Sequence, residues 1–186
     1  MAVREQVRVG GRSARIQTAV HDATRALLAE VGREAVTVPM VAARSGVTPS
    51  TIYRRWGDLS ELLADVAVER LRPAAAPADT GAVDTDLEVW VEQYMEEMSS
   101  DVGRTLLRDI LGNAPEAGQS LQCCNFTTEQ LQAIADRATT RGERSFDVDA
   151  ALDQVIAPII YRILFVGRPV TLDYCHALLE RFWREG

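Results

Sequence analysis

The sequence lacks several features that would indicate a membrane protein or a nucleotide-binding enzyme. It contains no lysine, so its 20 basic side chains are all arginine, a bias that fits a GC-rich genome and implies no mechanism. No stretch approaches the roughly 18 consecutive apolar residues of a membrane span. The Arg-rich N-terminus has no apolar segment of the kind found in secretory signals, so we expect a cytoplasmic protein with no membrane partner. There is also no glycine-rich phosphate loop.

Cysteine and histidine are too few and too scattered to predict a metal site. Cys123, Cys124 and Cys175 give an odd number of thiols at spacings that fit no zinc site, and His21 is far along the chain from His176. We therefore predict no metal ion and no cofactor. A strained disulfide between Cys123 and Cys124 would make a redox sensor, and three reduced thiols are the simpler interpretation.

Acidic residues occur in pairs, but nothing beside them completes a catalytic site. Glu96 with Glu97, and Asp84 with Asp86, are predicted to lie on solvated helix faces. No nucleophile or general base accompanies either pair, so we expect that the protein is not an enzyme.

The charges that are present are distributed unevenly. Residues 1–57 hold nine arginines against four acidic residues, a net charge of +5, and because the whole chain carries −7 the remainder carries −12. A basic N-terminal module joined to an acidic remainder predicts nucleic-acid binding at one end only. Residues 1–11 are predicted to be a flexible basic arm, either disordered or in contact with phosphate or the minor groove.

Residues 35–56 have the sequence form of a helix-turn-helix. A first helix is predicted to begin at Thr37 or Val38, with proline in its first turn. Gly46 stands where the chain must reverse, because glycine alone adopts a positive φ without penalty. Thr48 is predicted to cap the second helix with its hydroxyl, and Pro49 follows at the first helical position.

The second helix is predicted to present a polar face away from the core. Ile52 and Trp56 are four residues apart and should face inward. Ser50, Tyr53 and Arg54 share the opposite face, where hydroxyl, phenol and guanidinium groups suit phosphates and base edges. Helix pairs of this kind also occur in bundles without a DNA role, but here the turn, the cap, the core spacing and the basic face agree.

The segment GVTPSTIYRRW, residues 46–56, resembles the core motif of the tetracycline-repressor (TetR) family of transcriptional regulators, AGVS-x-x-T-[LI]-Y-x-[HR]-[FW]. The resemblance extends over residues 12–72. It implies base contacts from Pro49, Ser50, Thr51 and Arg54. It also implies phosphate contacts from Thr37, Thr48, Tyr53 and Arg55. The family usually has a lysine near the start of the fourth helix, where this chain has Leu59, so one backbone contact has no counterpart.

The remainder of the chain is predicted to be helical. Residues 73–82 form a Pro/Ala/Gly connector, and no alternating strand pattern follows it. We predict helices over residues 84–100, 102–113, 115–124, 127–141, 148–166 and 172–184.

The last two predicted helices are unusually apolar. Self-association about a two-fold axis would cover them, as the family resemblance also implies, although ordinary core packing is an alternative for part of their surface. The predicted dimer interface comprises Val155, Ile159, Ile160, Ile163, Leu164, Tyr174, Leu178 and Phe182.

The middle helices carry Met and aromatic residues at helical spacing. Such residues are usually core, but the resemblance implies an effector cavity between these helices, and adaptable Met side chains suit an apolar ligand. The predicted pocket comprises Trp90, Tyr94, Met95, Met98, Leu107, Ile110, Leu111, Phe126 and Leu131.

Together these observations predict an all-α protein of about nine to ten helices. A helix-turn-helix domain over residues 12–72 precedes an effector-binding and dimerisation domain over residues 83–186. The predicted function is an effector-responsive transcriptional repressor that binds a palindromic operator in double-stranded DNA as a homodimer. The alternatives are a non-specific or architectural DNA-binding protein, and a helical small-molecule-binding protein without DNA activity.

Overall fold

The computed structural model describes residues 11–112 and 119–185, and within these ranges every regular element is a helix. Residues 1–10 of the predicted basic arm lie outside them. The all-α prediction is confirmed. In order, the elements are α1 Arg12–Val31, a 3-10 turn Arg33–Ala35, α2 Val38–Ser45, α3 Pro49–Trp56, α4 Leu59–Leu71, α5 Val83–Ser99, α6 Asp101–Leu111, α7 Gln119–Arg141, α8 Val148–Ala151, a π turn Leu152–Ile156, α9 Ala157–Phe165 and α10 Leu172–Glu185. Among these helices, none has the length and apolar character needed to cross a membrane.

The chain forms two compact units, Met1–Val66 and Ala67–Gly186. The boundary falls inside α4, whereas the sequence predicted a first domain that extends to residue 72. Helix α4 therefore begins in the first unit and ends in the second.

The first unit is organised by the apolar stripe of α1. Val20, Ala23 and Leu27 recur at helical spacing and are at most 7% exposed. They pack against α2, α3 and α4 in one cluster with Val36, Val38, Val41, Ala42, Ile52, Trp56, Leu62 and Val66. This core determines which face of α3 reaches solvent.

The turn between α2 and α3 has the features that the sequence predicts. Gly46 has a φ of +71°, in the left-handed region that glycine tolerates best, and its N–H donates to the carbonyl of Ala42. Thr37 caps α2, because its hydroxyl oxygen accepts the N–H of Met40 at 3.4 Å. Helix α2 therefore begins at Val38.

The second unit has its main core between α5, α7, α8, α9 and α10. Helix α8, the π turn and α9 follow one another without a break. Pro158 has no N–H to donate back along the helix, and the π turn ends two residues before it, at Ile156. The buried residues of this core are Val83, Leu87, Trp90, Val91, Met95, Leu131, Ile134, Ala138, Ala151, Val155, Ile156, Ile159, Cys175, Leu178, Leu179 and Phe182.

Helix α7 corrects the sequence prediction of two separate helices over residues 115–124 and 127–141. The described part is one helix, Gln119–Arg141, and residues 115–118 lie outside the described ranges. Thr127 and Thr128 do not end a helix there. Their hydroxyls donate to the carbonyls of Cys123 and Cys124, one turn earlier, and this satisfies both side chains within the helix.

Candidate nucleic-acid interface and ligand cavity

Helix α3 has one buried face and one exposed face. Ile52 is fully buried and Trp56 is 6% exposed, as the sequence predicts. The phenol of Tyr53 is half exposed, which leaves a large aromatic side chain available to a partner. The residues exposed on this helix and its cap are Thr48, Pro49, Ser50, Tyr53, Arg54 and Arg55.

The two arginines of α3 are placed differently. Arg54 is exposed and makes no hydrogen bond or ion pair with any residue in the described ranges. The guanidinium of Arg55 donates to Ser13 Oγ at 2.7 Å and to Gln17 Oε1 at 2.6 Å, and lies 5.1 Å from the ring centre of Trp56. Arg55 therefore braces α3 against α1, and the phosphate contact that the resemblance implies for it stays a prediction.

Thr48 is the residue before α3. The prediction that its hydroxyl caps this helix is wrong, because the side chain makes no cap hydrogen bond. Its Oγ1 instead lies 2.9 Å from Ser50 Oγ and 3.0 Å from Thr51 Oγ1. The three hydroxyls satisfy one another because they stand within one turn of the chain. Each is both a donor and an acceptor, so the cluster can turn its protons toward a phosphate oxygen or a base edge.

Two further positions lie beside α3 in the chain. Thr37 is exposed, and because its oxygen accepts the cap hydrogen bond, its own O–H is free to donate to a phosphate. Leu59 is half-buried against the core of the first unit. Packing thus accounts for an apolar side chain where the family usually has lysine.

Asp65 of α4 is hydrogen-bonded to the last residue of α3 and to the middle of α1. Its Oδ2 accepts a hydrogen bond from His21 Nε2 at 2.8 Å and from Trp56 Nε1 at 2.7 Å, and His21 is almost fully buried. Burial alone would raise the pKa of Asp65, but the hydrogen bonds from His21 and Trp56 outweigh it and hold that pKa below its ordinary value. Sequence reasoning missed Asp65, since no local pattern marks a carboxylate whose partners are distant along the chain.

A partly open cavity of about 700 Å³ lies in the second unit. Helices α5, α6 and α7 line it together with the end of α4 and residues 72–78. Its volume is typical of small-molecule sites. Of the residues predicted for an effector pocket, Trp90, Tyr94, Met98 and Phe126 line it.

The other predicted pocket residues do not line this cavity, which corrects the prediction. Met95 and Leu131 belong to the main core, and Leu107 is buried. Ile110 lies in a small core cluster with Ala67 and Val68, and Leu111 is 56% exposed. Helical periodicity shows which residues are apolar and inward, but not which inward face borders a cavity. Lining residues that the sequence analysis missed include Gln93, Gly103, Leu106, Cys123, Thr127, Gln130 and the connector.

The α5 wall of the cavity is largely aromatic, with Gln93 and Glu97 as its polar side chains. The rings of Trp90 and Tyr94 stack with their centres 5.1 Å apart. Burial raises the pKa of Tyr94 above its ordinary value and that of Cys123 to about 11, so both groups stay protonated at neutral pH. Because the thiolate is the reactive form of cysteine, this burial makes Cys123 a poor nucleophile.

Asp86 is fully buried, which corrects the prediction that it lies on a solvated face. Its Oδ1 accepts from the N–H and hydroxyl of Thr80 at 2.6 and 2.7 Å, and its Oδ2 accepts from Arg137 at 3.0 Å and from Arg141 at 2.8 Å. Arg137 also donates to the carbonyl of Pro77 at 3.1 Å. These hydrogen bonds attach the connector, which lines the cavity, to α5 and α7.

The residues predicted for a dimer interface fall into two sets. Val155, Ile159, Leu178 and Phe182 lie in the core of their own subunit, out of a partner's reach, which corrects the prediction for these four. The half-buried set is Ile160, Ile163, Leu164 and Tyr174. The most exposed apolar side chains of α9 and α10 are ones that the prediction omitted: Tyr161 at 60%, Phe165 at 71% and Leu172 at 41%.

Comparison with known proteins gives one consistent result. The profile described as "Bacterial regulatory proteins, tetR family" matches residues 20–66, and the profile described as "Tetracyclin repressor-like, C-terminal domain" matches residues 77–182. The chain is 30% identical over 142 residues to the HTH-type transcriptional regulator AqdR of Rhodococcus erythropolis, covering 76% of this chain and 68% of that protein. It is 31% identical over 163 residues to the HTH-type transcriptional regulator Mb1581 of Mycobacterium bovis, covering 84% and 80%. The crystal structure of the TetR family regulator SCO0332 is similar with a TM-score of 0.64 and 25% identity, covering 94% and 97%.

Proposed function

Because this chain belongs to the TetR family of bacterial transcriptional regulators, we propose that it is an effector-responsive repressor that binds a palindromic operator as a homodimer. That it is a DNA-binding regulator and not an enzyme follows from the family. The observation that carries the proposal is the exposed face of α3, where Arg54 has no described partner beside a half-exposed Tyr53. We place its action in the cytoplasm, where the DNA is.

In a two-fold dimer the two α3 helices would enter successive major grooves on one side of the DNA. Such half-sites are roughly 34–36 Å apart, so the operator should be a palindrome with that spacing. The bound dimer would repress by occupying DNA that the polymerase needs. A selection of binding sites from random DNA that yields no palindrome would favour the architectural alternative, and no DNA retention at low salt would favour the small-molecule-binding alternative.

Arg54→Ala should weaken specific operator binding by about 1–3 kcal/mol, because a bidentate guanidinium contact to a base is worth about that much. Fluorescence anisotropy with the selected operator measures the change. Arg44→Ala is the matched control, since Arg44 is an exposed arginine of α2 whose guanidinium is already paired with Glu30 at 2.6 Å. Equal operator affinity for wild type and Arg54→Ala would contradict the role assigned to α3.

We assign the dimer interface to the exposed ends of α9 and α10. Tyr161 and Phe165 stand one turn apart with ring centres 5.4 Å apart, and Leu172 begins α10. Contiguous exposed apolar side chains, as in the pair Tyr161 and Phe165, mark association surfaces in soluble proteins. Half-buried Ile160, Ile163, Leu164 and Tyr174 would complete the interface.

Phe165→Asp should convert the dimer to a monomer, because it places a charge in the centre of the proposed apolar contact. Light scattering after size-exclusion chromatography measures the mass. Val89→Asp is the control, since Val89 is a 40% exposed apolar residue of α5. A monomeric wild type, or a Phe165→Asp variant that remains dimeric, would show that the interface lies elsewhere or does not exist.

We further propose that the cavity binds a small, largely apolar effector that releases DNA. Trp90, Tyr94 and Phe126 supply aromatic surface, and Gln93 and Gln130 supply polar groups that can orient a ligand. A ligand shifts an equilibrium only by its difference in affinity for the two states, so the effector must favour the state in which the α3 helices are wrongly spaced. Helix α4 follows α3 in the chain and ends directly before the connector that lines the cavity. It is therefore the element through which the chain connects the cavity to α3.

Leu106→Trp tests the effector site by filling the cavity. The variant should bind the operator as wild type does, but it should not respond to compounds that release wild type from DNA in an anisotropy screen. Unchanged release of the variant by such a compound would show that the compound binds elsewhere.

A further inference from the structure

Glu88, Glu92 and His176 bring three potential metal ligands together in the second unit. Glu88 and Glu92 stand one turn apart on α5, so both carboxylates lie on one helix face. His176 reaches them from α10, with its Nε2 2.6 Å from Glu92 Oε1 and 3.4 Å from Glu88 Oε1. One ligand atom from each residue lies within 4.8 Å of the others. Atoms this close need only small rotations to surround one ion at about 2.0–2.2 Å.

We propose that Glu88, Glu92 and His176 bind a divalent transition-metal ion of the Zn²⁺ class. The imidazole favours Zn²⁺, Ni²⁺ or Co²⁺ over Mg²⁺ and Ca²⁺, which prefer oxygen ligands alone. When His176 is neutral the two carboxylates together carry a charge of about −2, which a divalent ion neutralises. The site goes beyond the proposed function and does not depend on it.

The proposed site is open and therefore suits an exchangeable ion. The three side chains are 33–44% exposed, which gives an ion a path from solvent. Three protein ligands leave a fourth position for water, unlike the closed four-ligand sites of structural zinc. A bound ion would join α5, which carries the aromatic wall of the cavity, to α10.

A proton competes with the metal ion for the imidazole of His176, because a histidine binds a metal ion only in its neutral form. Metal affinity should therefore fall as the pH decreases.

The test uses the tag-free, full-length protein after treatment with a chelator. Zn²⁺ at about 100 times its dissociation constant should raise the melting temperature by about 5–10 °C, whereas Mg²⁺ at the same concentration should not. Co²⁺ should give a visible absorption band with intensity typical of a protein-bound ion. His176→Gln and Glu92→Gln should each abolish the Zn²⁺ shift and the Co²⁺ band, and Glu129→Gln, an exposed glutamate of α7, should retain both.

Each outcome decides the proposal. Loss of both signals in His176→Gln and Glu92→Gln, with retention in Glu129→Gln, supports it. No Zn²⁺ shift in wild type would show that the three residues form an ion pair only. A Zn²⁺ shift that persists in His176→Gln would place the ion elsewhere and overturn the assignment, even if this variant is less stable in the absence of metal.

Discussion

Asp86→Ala should lower the free energy of unfolding of the second unit by about 3–4 kcal/mol. Removing one partner of a buried ion cluster leaves the remaining charges without a counter-charge, which typically costs about 3–5 kcal/mol. The partial exposure of the two arginines reduces this cost. Arg137 and Arg141 would lose their shared acceptor, and Thr80 would lose the acceptor for its N–H and hydroxyl.

Urea unfolding at neutral pH measures the loss, and Asp84→Ala is the matched control. Asp84 is an exposed acidic residue two positions away in the first turn of the same helix. Its removal should change the free energy of unfolding by less than about 0.5 kcal/mol. Because Arg137 also holds the connector, Asp86→Ala should in addition weaken effector-induced release from DNA. Equal midpoints for the two variants would contradict the structural role of Asp86.

The contribution of Asp86 should also depend on pH in a defined direction. Burial alone would raise its pKa, but hydrogen bonds from Thr80, Arg141 and Arg137 hold the pKa well below its ordinary value. A depressed folded-state pKa gives stability that is fully present above the unfolded pKa of about 3.9 and is lost as the pH falls toward the folded value. The difference in stability between wild type and Asp86→Ala should therefore narrow below about pH 4.

Asp65→Ala should lower the free energy of unfolding of the first unit by about 2–4 kcal/mol and weaken operator binding. It removes the carboxylate that accepts hydrogen bonds from Nε1 of Trp56 and from Nε2 of buried His21, and each unsatisfied buried donor costs about 1–3 kcal/mol. Trp56 is the last residue of α3. Loss of its hydrogen bond should let the reading helix shift, so specific binding should weaken even where the unit stays folded.

The control for this variant is Glu69→Ala on the same helix. Glu69 pairs with Arg72 at the surface, where both side chains are about half exposed, and such pairs contribute at most about 1 kcal/mol. Operator titrations should be made at urea concentrations far below the unfolding midpoint, so that weaker binding reports a displaced α3 and not unfolded protein. Wild-type affinity in a measurably destabilised Asp65→Ala variant would show that Asp65 holds the fold without positioning α3.

The helix-turn-helix could be read from the sequence because its signals are local. Gly46 at the turn, Thr37 before α2, and Ile52 and Trp56 four residues apart all act through neighbours within one or two turns of the chain. The same reasoning separated the two faces of α3. The predicted cap of α3 by Thr48 was wrong, because the hydroxyl of Thr48 has competing partners in Ser50 and Thr51. The predicted break within α7 was also wrong, because side-chain hydrogen bonds accommodate two threonines within one helix.

The sequence by itself determined the helical class, the reading helix and the basic character of the DNA-binding end, because periodicity, turn residues and charge balance depend on residues close together in the chain. Only the tertiary structure decided which apolar residues line the cavity and which lie in the core. It also decided that Asp86 and Asp65 are the centres of hydrogen-bond clusters, and that Glu88 and Glu92 meet His176. These assignments depend on contacts between side chains that are tens of residues apart, and no local pattern specifies which helix faces will meet.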